Sequence, residues 1–212
     1  MGAKMYRHVI WDFDGTLYDT YPSMVGALID TLRAHGHEES HEDALRLMKI
    51  SAGEALSYYQ KRYGYGDAFV AAYRARRKET ELDMCKPYPG ALELLRDIAN
   101  AGGQNYIYTH RGDTLFPMLA RYGAAELFRE CVTARSGFAR KPDPAGILHL
   151  IHAHQIDPAD AVMVGDRALD IEAGANAGIA TCDYWDGSGP KVDAADHIAR
   201  DFDELRAALG YN

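Results

Sequence analysis

Along most of the chain, short apolar runs alternate with longer stretches whose apolar residues recur every three or four positions. Residues 8–12, 105–109, 131–134, 161–166 and 179–184 are apolar runs of strand length. Between them lie helical patterns. In "YPGALELLRDIANAGG" the spacing sets Leu92, Leu95, Ile98 and Ala99 on one face, and Gly102 and Gly103 end the helix. "PDPAGILHLIHAHQI" starts a helix with Asp143 as N-cap and Pro144 in the first turn, and "DFDELRAALG" closes the chain as another. Strands alternating with helices predict an α/β fold: a doubly wound, Rossmann-like parallel sheet wrapped by helices.

The pattern changes between residues 21 and 85, where no run reads as a strand. "PSMVGALIDTLRAHG", "HEDALRLMK", "GEALSYYQKRYG" and "DAFVAAYRARRKETEL" all carry helical spacing, with breaks near Gly36, residues 51–53 and residues 64–66. "KPYPG" makes a stiff exit. The expected organisation is a core of residues 1–20 and 86–212, interrupted by about four helices over residues 21–85.

Composition narrows the function. The 212 residues are 47% hydrophobic and 25% charged, enough for one full core plus a small accessory unit. A net charge of −8 argues against nucleic acid and anionic membranes as partners, which call for a basic face. Cys85, Cys131 and Cys182 are widely spaced and odd in number, the usage of a reduced compartment. The apolar run at residues 8–11 is too short for a signal peptide, and none approaches a membrane span. The expectation is a cytoplasmic monomer or homodimer. The Arg74, Arg76, Arg77 and Lys78 run reads as a solvated helix face, and Tyr58, Tyr59, Tyr63, Tyr65 and Tyr73 as packing residues.

The candidate chemistry lies where the strands end. "VIWDFDGTLYDT" breaks from a core strand into Asp12 and Asp14, with Gly15 and Thr16 behind them. Two carboxylates this close repel, and their burial requires positive charge from elsewhere. "YIYTHR" delivers Thr109, His110 and Arg111; "VMVGDRALD" delivers Asp166, with Asp170 four residues on; "RKPDP" places Lys141 before a helix. Ligands of open parallel sheets bind at the carboxyl ends of strands. Three acids converging there suit a hard divalent cation, Mg²⁺ before others. Lys141 and Thr109 then offer donors to phosphate oxygens, and Gly15 lets backbone N–H groups approach an anion.

"DFDGTL", a Thr after an apolar strand, "KPDP" and "GDRALD" resemble, in that order, the four motifs of the haloacid-dehalogenase-like superfamily. The helical insert between the first two resembles that family's C1-type cap, and the cap with "KPDP" is similar to the phosphoglycolate phosphatase and β-phosphoglucomutase branch. The resemblance implies a phosphatase of small phosphorylated metabolites. Asp12 would attack phosphorus, and Asp14 would act as acid and then base. Mg²⁺ would be held by Asp12, the Asp14 backbone carbonyl and Asp166, with Asp170 supporting the metal through water or holding Lys141. Thr109 and Lys141 would orient the phosphoryl group. Gly15, Thr16, His110 and Arg111 are candidate substrate contacts, as are Lys49 and Ser51 in a cap loop reaching over the site; the cap would close and exclude water. Asp19 is expected to support the loop after the first strand. A phosphomutase or a non-catalytic binding module are the alternatives.

Overall fold

In the computed structural model, which describes residues 4–211, the chain divides into two compact units: Asp19–Lys86, and the remainder on either side of it. The larger unit is built on six parallel strands. They are β1 (His8–Trp11), β4 (Gln104–Tyr108), β5 (Phe128–Val132), β6 (Ala161–Gly165), β7 (Ala180–Tyr184) and β8 (His197–Ala199), in the spatial order β5-β4-β1-β6-β7-β8. The two-residue strands β2 (Tyr18–Asp19) and β3 (Lys86–Pro87) pair separately where the chain passes between units. The sheet is doubly wound. From central β1 the chain first builds outward through β4 and β5, then returns to β6 on β1's other side. That reversal leaves a crevice at the carboxyl ends of β1, β4 and β6.

The central strands have the composition that such a position demands. Val9, Ile10 and Trp11 of β1 and all five residues of β6 are buried, as expected of strands covered on both faces. One polar pair lies inside: Trp11 Nε1 donates to Asn105 Oδ1 at 3.0 Å, and Asn105 Nδ2 donates to the Leu95 carbonyl at 2.9 Å. β8, only three residues long, has no counterpart among the expected strands, and β5 starts three residues before the expected run at 131–134, because its first half carries Arg129 and Glu130 and shows no apolar run.

α5 (Ala91–Asn100), α6 (Leu115–Arg121), α7 (Ala145–His154), α8 (Ala168–Asn176) and α9 (Phe202–Leu209) accompany the sheet. The buried face of α5 is Ala91, Leu94, Leu95 and Ile98; Leu92 is half-buried and Ala99 exposed, which corrects the expected stripe. Four residues at i, i+3, i+4 and i+7 make a tighter stripe than the one read from leucine positions. α7 begins at Ala145, with Pro144 in the N-cap position, while Asp143 Oδ1 accepts from the Ala145 N–H at 2.9 Å.

The smaller unit is a bundle of α1 (Tyr21–Ala34), α2 (His41–Ile50), α3 (Ala52–Tyr63) and α4 (Asp67–Met84). Ser40 and Ser51 cap α2 and α3 by accepting the Asp43 and Glu54 N–H groups, each at 3.0 Å. Met24, Leu28, Leu32, Met48, Leu56, Tyr59, Phe69 and Tyr73 are among its buried core residues. Of the tyrosines read as packing, Tyr58 is instead exposed. The basic run on α4 is not wholly solvated either, because Arg77 pairs with the buried Glu81 at 3.3 Å.

Candidate active site

Four segments distant in sequence deliver their polar ends to the crevice of the larger unit. The Asp12 N–H extends β1 by one bond, donating to the Val164 carbonyl at 2.8 Å, and so sets that carboxylate against β6. Beyond it the chain turns sharply: the Gly15 N–H donates to the Tyr18 carbonyl at 2.9 Å, and Gly15 has φ +85°, which glycine adopts without strain. This N–H closes the turn instead of facing an anion. Thr16 Oγ1 donates to Asp166 Oδ1 at 3.3 Å, so Thr16 supports an acid of the site.

Lys141 occupies the middle. Its Nζ lies 2.6 Å from Asp12 Oδ1, 2.5 Å from Asp170 Oδ1 and 2.8 Å from the Tyr108 carbonyl, and all three side chains of the ion pairs are fully buried. Burial works against the ammonium, but the two carboxylates outweigh it and hold Lys141 above the usual lysine range. Burial also pushes the Asp12 carboxyl up, against the pull of Lys141.

The loop carrying Lys141 is fastened from β4. Tyr108 donates its hydroxyl to the carbonyls of Ala139 and Asp143, both at 3.2 Å. His110 Nε2 accepts the Lys141 backbone N–H at 2.8 Å. Burial, reinforced by nearby Lys141 and Arg140, pushes His110 down to about 3, so the ring is neutral and Nε2 is its acceptor nitrogen. Thr109 is buried at the end of β4; its N–H donates to the Val132 carbonyl at 3.0 Å, and its Oγ1 accepts the Arg111 N–H at 3.1 Å. The Arg111 guanidinium turns to Asp14.

Asp12, Asp166 and Asp170 each turn one carboxylate oxygen to within 4.8 Å of the other two. Both Asp170 oxygens are buried without a hydrogen bond of good geometry; its link to Lys141 is a close ion pair. A small buried cluster of hard oxygen donors, with no thiolate or imidazole in it, fits Mg²⁺. Gly165 makes room for one of these donors, because a Cβ there would come within 2.7 Å of Asp170 Oδ2.

Two residues of this centre carry no expectation from sequence. Tyr108 reads there as one more apolar strand residue. Arg167 lies between Asp166 and Asp170 with no role assigned from sequence, and its Nη2 is 3.4 Å from Asp12 Oδ2. Lys49 and Ser51 lie in the helical unit, not in an extended loop. Lys49 is in the last turn of α2, buried, with Nζ 5.0 Å from the Tyr21 ring centroid, and Ser51 is the single residue between α2 and α3.

The buried acids converge at the switch point of a doubly wound sheet, and comparison with known proteins supplies the class and the family. A family model described as haloacid dehalogenase-like hydrolase matches residues 9–183, and the chain belongs to that family. The pyrophosphatase PpaX of Bacillus velezensis is 30% identical, over 85% of this chain and 84% of its own length. A phosphoglycolate phosphatase of Psychrobacter arcticus is 30% identical, over 82% of this chain and 80% of its own. Among solved structures, a hydrolase from Streptococcus pneumoniae TIGR4 superposes with a TM-score of 0.64 at 34% identity, covering 84% of this chain and 92% of the other.

Proposed function

We propose that this chain is a Mg²⁺-dependent phosphatase that hydrolyses a small phosphorylated metabolite through an aspartyl-phosphate on Asp12. The observation that carries the reading is the buried Lys141 ammonium between Asp12 and Asp170, beside a third carboxylate, Asp166. A phosphoryl group needs that combination: a nucleophile, a fixed positive charge and oxygen ligands for a hard ion.

In this reading an Asp12 carboxylate oxygen attacks phosphorus, and the bond from phosphorus to the leaving oxygen breaks. Asp14, which Arg111 grips as a carboxylate before substrate arrives, must be released from that fork and protonated to give its proton to that oxygen. Water then attacks the phosphoryl group on Asp12 and passes a proton to Asp14; inorganic phosphate departs and both acids return to their starting states. Lys141 holds positive charge beside the nucleophile throughout, and Thr109 orients a phosphoryl oxygen. Asp12, Asp166 and the Asp14 carbonyl would hold Mg²⁺, with Asp170 behind them; the ion supplies charge neutralisation of the phosphoryl oxygens. The substrate roles of Lys49 and Ser51 rest on the family resemblance alone. A cytoplasmic setting belongs to this reading and rests on the cysteine usage of the sequence; among the described residues no helix is long and apolar enough to cross a bilayer.

The test is a screen of phosphate release with Mg²⁺, covering an aryl phosphate, phosphoglycolate, sugar phosphates, nucleoside monophosphates and pyrophosphate. Turnover of one class is expected, lost in Asp12→Asn and reversibly lost in chelator. Full activity in excess chelator would remove the metal from the reading. A sugar phosphate returned as its isomer, without free phosphate, would replace hydrolysis by a mutase.

A further inference from the structure

The acid cluster already contains a second cation, supplied by the motif itself. Arg167 lies between Asp166 and Asp170 in sequence and turns its guanidinium back onto the cluster. Nη2 is 3.4 Å from Asp12 Oδ2, and Nε is 3.7 Å from Asp166 Oδ1 and 3.6 Å from Asp170 Oδ2. One side chain thus reaches all three carboxylates that converge on the candidate metal position.

Local structure does not account for an arginine here. Arg167 is the N-cap residue of α8, with extended backbone and no side-chain capping bond. That position favours Ser, Thr, Asp or Asn, whose oxygens accept a free N–H of the first turn. A cation at a helix N-terminus also opposes the helix dipole. The acids in front of it offset both costs.

We propose that Arg167 is an internal stand-in for the divalent cation: it neutralises the cluster when the ion is absent and must withdraw for the ion to bind. The charge count supports exchange over coexistence. Three carboxylates face Lys141 and Arg167, leaving one negative charge over. A divalent ion added beside Arg167 overshoots to positive, whereas the ion in place of Arg167 brings the set to neutrality. Like charges a few ångströms apart in a buried site repel strongly. Lys141 is completely buried and cannot leave, while the Arg167 side chain is 12% exposed and, as a long flexible stem, has a route to solvent. Arg167 thereby sets the cation concentration at which the centre becomes loaded.

This inference rests on the phosphatase reading for the identity of the ion, and its test does not use activity. Mg²⁺ binding to the full chain is measured by calorimetry in phosphate-free buffer without substrate, for wild type, Arg167→Met and Arg167→Lys. The expected result is binding about tenfold tighter in Arg167→Met, a ratio worth roughly 1.4 kcal/mol. Arg167→Lys, which keeps the charge, is expected to stay nearer to wild type. In chelator, Arg167→Met is expected to unfold at a lower temperature than wild type, and saturating Mg²⁺ to close that gap. Equal or weaker binding by Arg167→Met overturns the proposal, as does the absence of Mg²⁺ binding in all three proteins. Should Arg167→Met not fold, ¹⁵N spectra of the wild-type arginine side chains decide. With Arg167→Lys to assign its signal, the Arg167 Nε–H must be protected from exchange in chelator and lose protection with Mg²⁺; an unchanged signal refutes displacement. Binding as expected without hydrolysis of any phosphate would sink the phosphatase reading and leave this one standing.

Discussion

The Arg111 guanidinium grips the Asp14 carboxylate: Nε donates to both oxygens at 3.2 Å, and Nη2 is in close contact with Oδ1. The arginine side chain is 1% exposed and Asp14 is 16% exposed, so the buried partner fixes the more open one. Nη1 donates to Thr114 Oγ1 at 3.0 Å, and the Arg111 N–H donates to Thr109 Oγ1. A planar fork anchored at several points dictates where a carboxylate points, which a single flexible ammonium does not. Sequence reads Arg111 as a substrate contact; in the fold its donors face an acid of the site. The proposed acid–base group is thus aimed by the segment after β4.

Arg111→Met is accordingly expected to lower kcat by about 10²-fold, the scale of a misplaced catalytic group, with little change in KM. Alkyl phosphates, whose leaving oxygen needs a proton, should suffer more than aryl phosphates. Arg111→Lys keeps charge without the fork and should restore only part of the rate. A rise in KM alone, for every phosphate ester, would return Arg111 to the role of substrate contact.

Lys141→Met removes the ammonium from between two fully buried carboxylates. Breaking a buried ion pair from one side costs about 3–5 kcal/mol. Urea unfolding in chelator should show a loss of this size, and Asp170→Asn added to Lys141→Met should recover part of it. Strictly additive losses would show that the two side chains are not energetically coupled.

His110 makes stability depend on pH in a predictable sense. Its folded value is about 3, far below the ordinary histidine value, so the unfolded chain takes up this proton first. The stability held by neutral His110 is complete above the unfolded value near 6.5. It is lost progressively as pH falls toward 3. Thermal unfolding from pH 7 to pH 4 should fall more steeply for wild type than for His110→Asn. Parallel curves would remove His110 as the cause.

Gly165→Ala sets a Cβ against the Asp170 carboxylate on the opposite side of the turn into α8. Overpacking of this kind costs roughly 1–3 kcal/mol. Since the neighbour here is a member of the acid cluster, weaker Mg²⁺ binding should accompany the lower melting temperature. A melting temperature and Mg²⁺ affinity both equal to wild type would show that the turn relaxes freely.

Local pattern was enough for much of this protein. Apolar runs marked β1, β4 and β6, because strands buried on both faces are largely apolar until they end, Asn105 of β4 being the buried polar exception. The same property exposed Asp12, Thr109 and Asp166, which stand just beyond those ends. Helical spacing marked the four helices of the smaller unit, though the stripe on α5 and the surface of α4 came out shifted. There, periodicity alone does not say which of several leucines or arginines meets a neighbour.

Partnership between distant side chains belonged to the tertiary structure. Arg111 and His110 read from sequence as substrate contacts, and Arg167 carries no reading there, because a cation beside a motif looks the same whichever way it turns. Folding aims Arg111 at Asp14 across 97 positions, sets the His110 ring under the Lys141 backbone, and turns Arg167 back onto Asp12. The short β8 was invisible for a related reason: its pairing with β7 supplies what its composition lacks. Hydrophobic spacing is a property of neighbours in the chain. The direction of a charge is decided by whatever opposite charge the fold buries beside it.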